Sequence, residues 1–152
     1  MNTASTLTFD TKMAGSSKEV TPSAMTIKDA SDADMTANYN ITYTKNSSSV
    51  ISQKAITVTA PEVTKTYDGT TAASGSATYS ALVSGDVMNT ASTLTFDTKM
   101  AGSSKDVTPS AMTIKDGSDA DMTANYNITY TKNSTSVISQ NCLLYTSDAA
   151  DE

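Results

Sequence analysis

The chain has 152 residues, a formal net charge of −6, no His and a single Cys. Its ten basic residues are all Lys, so there is no guanidinium to grip guanine or phosphate, and the acidic balance offers nucleic acid no electrostatic footprint. Without His, Ser-His-Asp and Cys-His nucleophiles and most zinc chemistry are excluded, and no run approaches the ~18 apolar residues of a membrane-spanning helix.

Ser and Thr together supply about a third of the residues, well above ordinary usage. Thr is β-branched and suits a pleated, half-exposed surface. The large apolar residues are spaced out rather than clustered, which predicts many short strands and a thin core. Residues 1–53 recur at 88–140 with three differences, Glu19/Asp106, Ala30/Gly117 and Ser48/Thr135. Elements read from residue 88 onward therefore stand for both copies.

In chain order, Lys54–Ala60 alternates with Ile56 and Val58 on one face and Thr57 and Thr59 on the other, a strand that Pro61 ends. Glu62–Tyr67 puts Val63, Lys65 and Tyr67 in one register. A turn follows at Asp68-Gly69, where Gly tolerates positive φ. Ala77–Val83 carries Tyr79 and Leu82, Ser92–Thr98 pairs Leu94 with Phe96, and Ala111–Asp116 pairs Met112 with Ile114. Ser118–Ala124 is the one segment expected to form a helical turn, capped by Ser118 with Asp119 and Asp121 at its positive end. Ala124–Lys132 faces Tyr126, Ile128 and Tyr130 one way. Six or seven strands with closely spaced turns predict an all-β fold: a small antiparallel β module of β-grasp or Ig-like sandwich type, without a long helix.

The repeat offset is 87 positions, Met1 matching Met88, too long for a solenoid period and long enough for a small core of its own. The expected domains are a complete β module at 54–140, preceded at 1–53 by the later part of another copy and followed at 141–152 by a tail. Met1 aligns with the internal Met88, so the gene product is expected to extend upstream. Where a further copy would begin, the chain instead reads NCLLYTSDAADE. Cys142–Glu152 matches the translation of a common sequencing adaptor and is read as non-native. The remaining chain has no Cys and hence no disulfide or thiol chemistry. Segment 55–87 can be completed by 89–140 or by the nearly identical 2–53. Native order is expected to win this competition, leaving 1–53 poorly packed or borrowing edges.

The stretch VTKTYDGTTAA at Val63–Ala73 resembles the YDG repeat of large bacterial surface adhesins and haemagglutinin-like proteins, to which repeats called "mostly β-grasp" are related. The resemblance continues through Ile56–Val58, Val83–Asp86, Asp119–Ala120 and Asn125–Tyr126, in the family's order. It departs at DADMTANY, where Asp121–Ala124 replace a single Gly. It implies a secreted, tandemly repeated protein of the bacterial cell surface, a spacer role and no enzymatic activity.

Several residues are candidates for a site. Tyr67, Asp68 and Gly69, the family motif, are expected to be structural, with Tyr67 buried beneath a tight turn and its hydroxyl bonded to backbone; a ligand site is the alternative. Asp116, Asp119 and Asp121, with Asp29, Asp32 and Asp34 in the first copy, are the candidates for calcium, although their order is not that of an EF-hand. Gly117 stands where the other copy has Ala30, so no special glycine conformation is expected there. No two carboxylates single themselves out for glycoside hydrolysis. Asn40 and Asn127 fit the glycosylation acceptor pattern, and Lys54, Lys65 and Lys132 are nominal candidates for a Lys–Asn crosslink. The expected function is a non-catalytic stalk spacer that projects a distal binding domain. The alternative is an adhesive module engaging a host glycan or protein. Expected partners are neighbouring repeats, with a host ligand held by other domains, and no nucleic acid, membrane span or cofactor beyond the calcium considered above.

Overall fold

The computed structural model describes residues 3–143 and is all-β, its only helical pieces among the described residues being two 3-10 turns. The chain divides into two compact units, Met1–Lys54 and Ala55–Glu152.

The first unit is a three-stranded antiparallel meander of β1 (Thr6–Phe9), β2 (Gly15–Ser23) and β3 (Asn46–Ile51), in the order β1-β2-β3. β1 pairs in simple register, Thr8 opposite Thr21 and Phe9 opposite Val20. The β2–β3 pairing shifts twice, between Gly15, Lys18 and Val20. Ser17, at φ 56, supplies the left-handed residue such a bulge uses. Between β2 and β3 lies a 3-10 turn, Thr36–Asn38. The apolar face of this sheet is open, with Leu7 68% and Phe9 44% exposed.

Among the described residues the second unit has ten strands: β4 (Lys54–Thr59), β5 (Thr64–Thr66), β6 (Ala72–Ala73), β7 (Thr78–Tyr79), β8 (Asp86–Thr90), β9 (Thr93–Phe96), β10 (Gly102–Ser110), β11 (Thr113–Asp116), β12 (Tyr126–Thr131) and β13 (Asn133–Ser139). They form a five-stranded sheet β5-β13-β10-β9-β6, a pair β11-β8 and a three-stranded sheet β12-β4-β7. β5 runs parallel to β13, so the module is mixed rather than purely antiparallel. Ala60, Val63, Leu94, Phe96, Val107 and Ile138 form one buried cluster. Ile56, Val58, Met112, Ile114, Met122 and Tyr126 are buried as well. Each large apolar side chain so buried contributes on the order of 1.5–3 kcal/mol. Within the core the Val63 amide donates to the Ser136 hydroxyl, which itself donates to Asn133 Oδ1, so a fully buried serine is satisfied on both sides.

The strands expected around Ile56, Leu94, Ile114 and Tyr126 are present. The alternation missed two of the three inner strands of the main sheet, β10 and β13, together with β6 and β8. β10 reads GSSKDVTPS, with Gly, Pro and three serines in nine residues. A proline there looks excluded from a ladder. However, Asp97 N donates to Asp106 O, so the hydrogen-bonded pairs of β9 and β10 alternate and Pro109 falls opposite Leu94 at a position that needs no N–H. Conversely, the strand expected over Ala77–Val83 shrinks to β7, and Tyr79 is exposed. Thr123–Asn125 forms the expected helical turn, but Ser118 does not cap it. Instead Asp121 Oδ1 accepts the Thr123 amide and Ser118 N donates to Asp116 Oδ1.

Candidate functional site

Of the family-like motifs, Ile56–Val58 lies in strand β4 and Tyr126 opens β12, while Asp68–Gly69, Val83–Asp86 and Asp119–Ala120 lie in turns held by side-chain hydrogen bonds. At the first, β5 delivers Lys65 inward. Its Nζ donates to Asp68 Oδ1 (2.9 Å), Thr70 O (2.9 Å) and Ala72 O (2.8 Å) and sits 5.3 Å from the Phe96 ring centroid. Asp68 Oδ1 also accepts the Thr70 amide and hydroxyl, both at 2.9 Å, and Gly69 turns the chain at φ +78. The Lys65 hydrogen bond, followed by the two from Thr70, holds the Asp68 carboxyl down to about 2.

Tyr67 is not the buried residue beneath this turn. Its amide donates to Ser139 O, but its side chain is 39% exposed. β5 pairs with β13 over Thr64–Thr66, the last pair being Thr66 opposite Ser139, so Tyr67 follows the end of the paired strand. Lys65 fills the place expected for the tyrosine.

The buried tyrosine belongs to a different turn. Tyr126, 4% exposed, donates from its hydroxyl to Asp86 Oδ2 (2.6 Å) and accepts the Val83 amide (3.0 Å). Gly85 at φ +93 and a bond from Asp86 N to Val83 O complete the turn. Burial first, then the Asp86 carboxylate, pushes the Tyr126 phenol above its ordinary value. Both Val83–Asp86 and Asn125–Tyr126 stand out in the sequence, but nothing in their spacing says that they touch.

The acidic loop is similarly self-contained. Asp116, largely buried, accepts the Ser118 and Ala120 amides at Oδ1 (2.8 and 3.1 Å). Asp119, at φ 64, takes an ion pair from Lys115 (2.6 Å). Asp121 accepts the Thr123 amide (2.8 Å), and the Thr123 hydroxyl and amide lower its pKa. In the first unit Asp29 accepts Ser31 N and Ala33 N, Lys28 stands 4.0 Å from Asp32, and Asp34 accepts Thr36 N. The carboxylates are thus divided among separate partners. Among the described residues no group of three or more His, Cys, Asp or Glu is placed to hold a metal ion.

The remaining candidates are spread over the surface. Asn40 and Asn127 are exposed. Lys132 pairs with Asp106, and the partners of Lys65 Nζ include no Asn side chain. Lys54 opens β4 and is exposed. Tyr67, Met100, Ala101, Gln140, Asn141 and Leu143 line an open depression at one end of the unit. Cys142 is an exposed free thiol; the rest of the proposed adaptor-derived tail, from residue 144 on, lies outside the described residues. Among the described residues no helix is long and apolar enough to cross a membrane.

No curated protein and no solved structure matches this chain. A family model, the YDG domain, matches residues 52–135. That match covers more than half of the sequence, and within it Tyr67, Asp68 and Gly69 open a stapled turn on the edge strand of a closed β unit. The chain therefore belongs to the YDG-domain family.

Proposed function

We propose that the chain is a non-catalytic spacer segment of a bacterial cell-surface protein, in which copies of an 87-residue β module follow one another and project a binding domain carried elsewhere. The observation that carries this reading is the engagement of the motif side chains. Lys65, Asp68, Asp86, Tyr126, Asp116 and Asp121 all bond within their own module, closing turns rather than converging on a cleft. A unit whose polar residues are used in this way adds length, and copy number then sets reach. Near-identity of the two copies fits recent duplication of such an array. The proposed partners are neighbouring repeats, and the proposed location is extracellular.

The test is a chain with residues 54–140 in two consecutive copies, measured by small-angle scattering and on panels of glycans and matrix proteins. An elongated particle that grows by a constant increment per added copy, without saturable binding, supports the spacer. Saturable binding of a glycan or protein would replace it with the adhesive-module reading.

A further inference from the structure

The segments that open and close the 54–140 module lie side by side. The first is β4 followed by β5, residues 54–66, and the second is β12 followed by β13, residues 126–139. β4 neighbours β12 in the three-stranded sheet and β5 neighbours β13 in the five-stranded one, so the same two segments meet in both sheets. Their partners rise together along the chain. Ala60 N, just past the end of β4, donates to Thr131 O at the end of β12 (2.9 Å). The Val63 amide donates to Ser136 Oγ (3.0 Å), and Val137 N donates to Val63 O (2.9 Å). Thr64, Lys65 and Thr66 lie opposite Val137, Ile138 and Ser139, and Tyr67 N donates to Ser139 O (2.8 Å). Both segments therefore run in the same direction. The chain enters the module at the start of one and leaves it past the end of the other, so entry and exit lie at opposite ends of the pair.

This arrangement fixes how tension acts on the module. A pull between entry and exit draws β4–β5 toward its first residue and β12–β13 toward its last. The two segments are driven to slide past each other, across hydrogen bonds that are evenly spaced in a parallel pair. Those bonds must yield together, whereas a pull applied at one end of the pair opens them one at a time. Sliding also separates buried side chains, Ile56, Val58 and Val63 on the first segment and Tyr126 and Ile138 on the second. Where the pair passes from one sheet to the other, Ser136 links the Val63 amide to Asn133 Oδ1, and the Thr135 hydroxyl donates to Glu62 Oε2 (3.2 Å).

We propose that the module bears tension along the chain, with β4–β5 against β12–β13 as the pair that resists shear and Ser136 as its clamp between the two sheets. The proposal rests on the spacer reading for its purpose, since a spacer that holds a bound domain away from a surface is pulled end to end. The two fail separately: ligand binding by the module removes the spacer reading and leaves the resistance to shear standing, while weak resistance removes only the present proposal.

The experiment pulls single full-length chains at constant speed through two pairs of anchors. Gln53→Cys with the native Cys142 loads the module end to end and leaves residues 1–52 outside the loaded stretch. Tyr67→Cys with Cys142 instead peels β5 from β13, starting at their shared end. All three anchor positions are exposed. Forced unfolding reads the unfolding rate along the loaded route, and the expected result is a single end-to-end step at no less than about twice the force of the peeling geometry. Adding Tyr67→Ser to the end-to-end pair should leave its force unchanged, and Ser136→Ala should lower the end-to-end force more than the peeling force. Equal forces in the two geometries, a force lost on adding Tyr67→Ser, or equal weakening of both geometries by Ser136→Ala would each overturn the proposal.

Discussion

The Tyr126 hydroxyl donates to the Asp86 carboxylate at 2.6 Å and in the same position accepts the Val83 amide, so one buried phenol ties β12 to a turn 40 residues earlier. Both bonds cross from residues 54–87 to residues 88–140, the division at which the two units of the chain differ. Tyr126→Phe keeps the ring and removes the hydroxyl, leaving the Val83 amide and one Asp86 oxygen without this partner. The expected loss is about 1.5–3 kcal/mol of stability of the second unit, as for hydrogen bonds to charged groups, measured by denaturant unfolding. The equivalent Tyr39→Phe, at an exposed ring, should cost much less.

The same phenol gives an alkaline signature. Its folded pKa is raised, so the neutral form is favoured in the folded state. The stability this contributes is fully present below the unfolded value near 10 and is lost as pH rises through the folded one. Spectrophotometric titration of the intact chain should show a phenol ionising late, together with loss of structure. Tyr126→Phe should remove that late step.

Asp68 gives the opposite sign. Its folded pKa, about 2, lies below the ordinary carboxylate value of 3.8, so its contribution is present above 3.8 and is lost as pH falls toward 2. The amide of Thr70, which bonds this carboxylate, should lose exchange protection over that window. Asp68→Asn should already show the loss at neutral pH, and Lys65→Met should mimic it by removing the first cause of the shift. Unchanged Thr70 protection in both variants would show that the turn holds without the staple.

Phe9 and Phe96 lie at equivalent positions of identical strands but have different environments. Phe96→Ala empties a closed core and should cost roughly 3–5 kcal/mol, whereas Phe9→Ala should cost under about 1 kcal/mol. Chemical denaturation of the two variants separates them. Equal losses would mean that the first sheet is covered in solution.

Calcium is checked directly. The acids of the 116–121 loop are expected to close it without a cation, because their oxygens already accept loop amides or face Lys115. Thermal unfolding should be unchanged by EDTA or by millimolar calcium, and a rise in Tm with calcium would restore the metal reading.

Much of the second unit was legible from alternation alone. Ile56, Val58, Leu94, Phe96, Met112 and Ile114 all point inward as period two predicts. β10 and β13 were not legible, because a strand buried between neighbours can use Ser136 and Pro109 in its core when other strands satisfy or exempt their polar groups. Among the site residues, the turn at Gly69 was readable from local chemistry, and Val83–Asp86 stood out only through the family resemblance. That Tyr126 rather than Tyr67 is the buried tyrosine was not, because the Asp86 contact joins segments far apart in the chain.

The near-identical copies separate the two kinds of information within one molecule. Sequence by itself determined the turns. The left-handed residues Ser17 and Ser104, Ala24 and Ala111, and Asp32 and Asp119 agree within a degree, and Met25 N and Met112 N both reach a tyrosine hydroxyl 18 residues on. These interactions lie within 88–140, and the first copy carries all their partners. Tertiary structure decided the rest. YNITYT is strand β12 at 126–131, where β4 pairs with it, and irregular chain at 39–44. A ladder bond and a buried side chain each need a second surface, and that surface is supplied by residues 54–87.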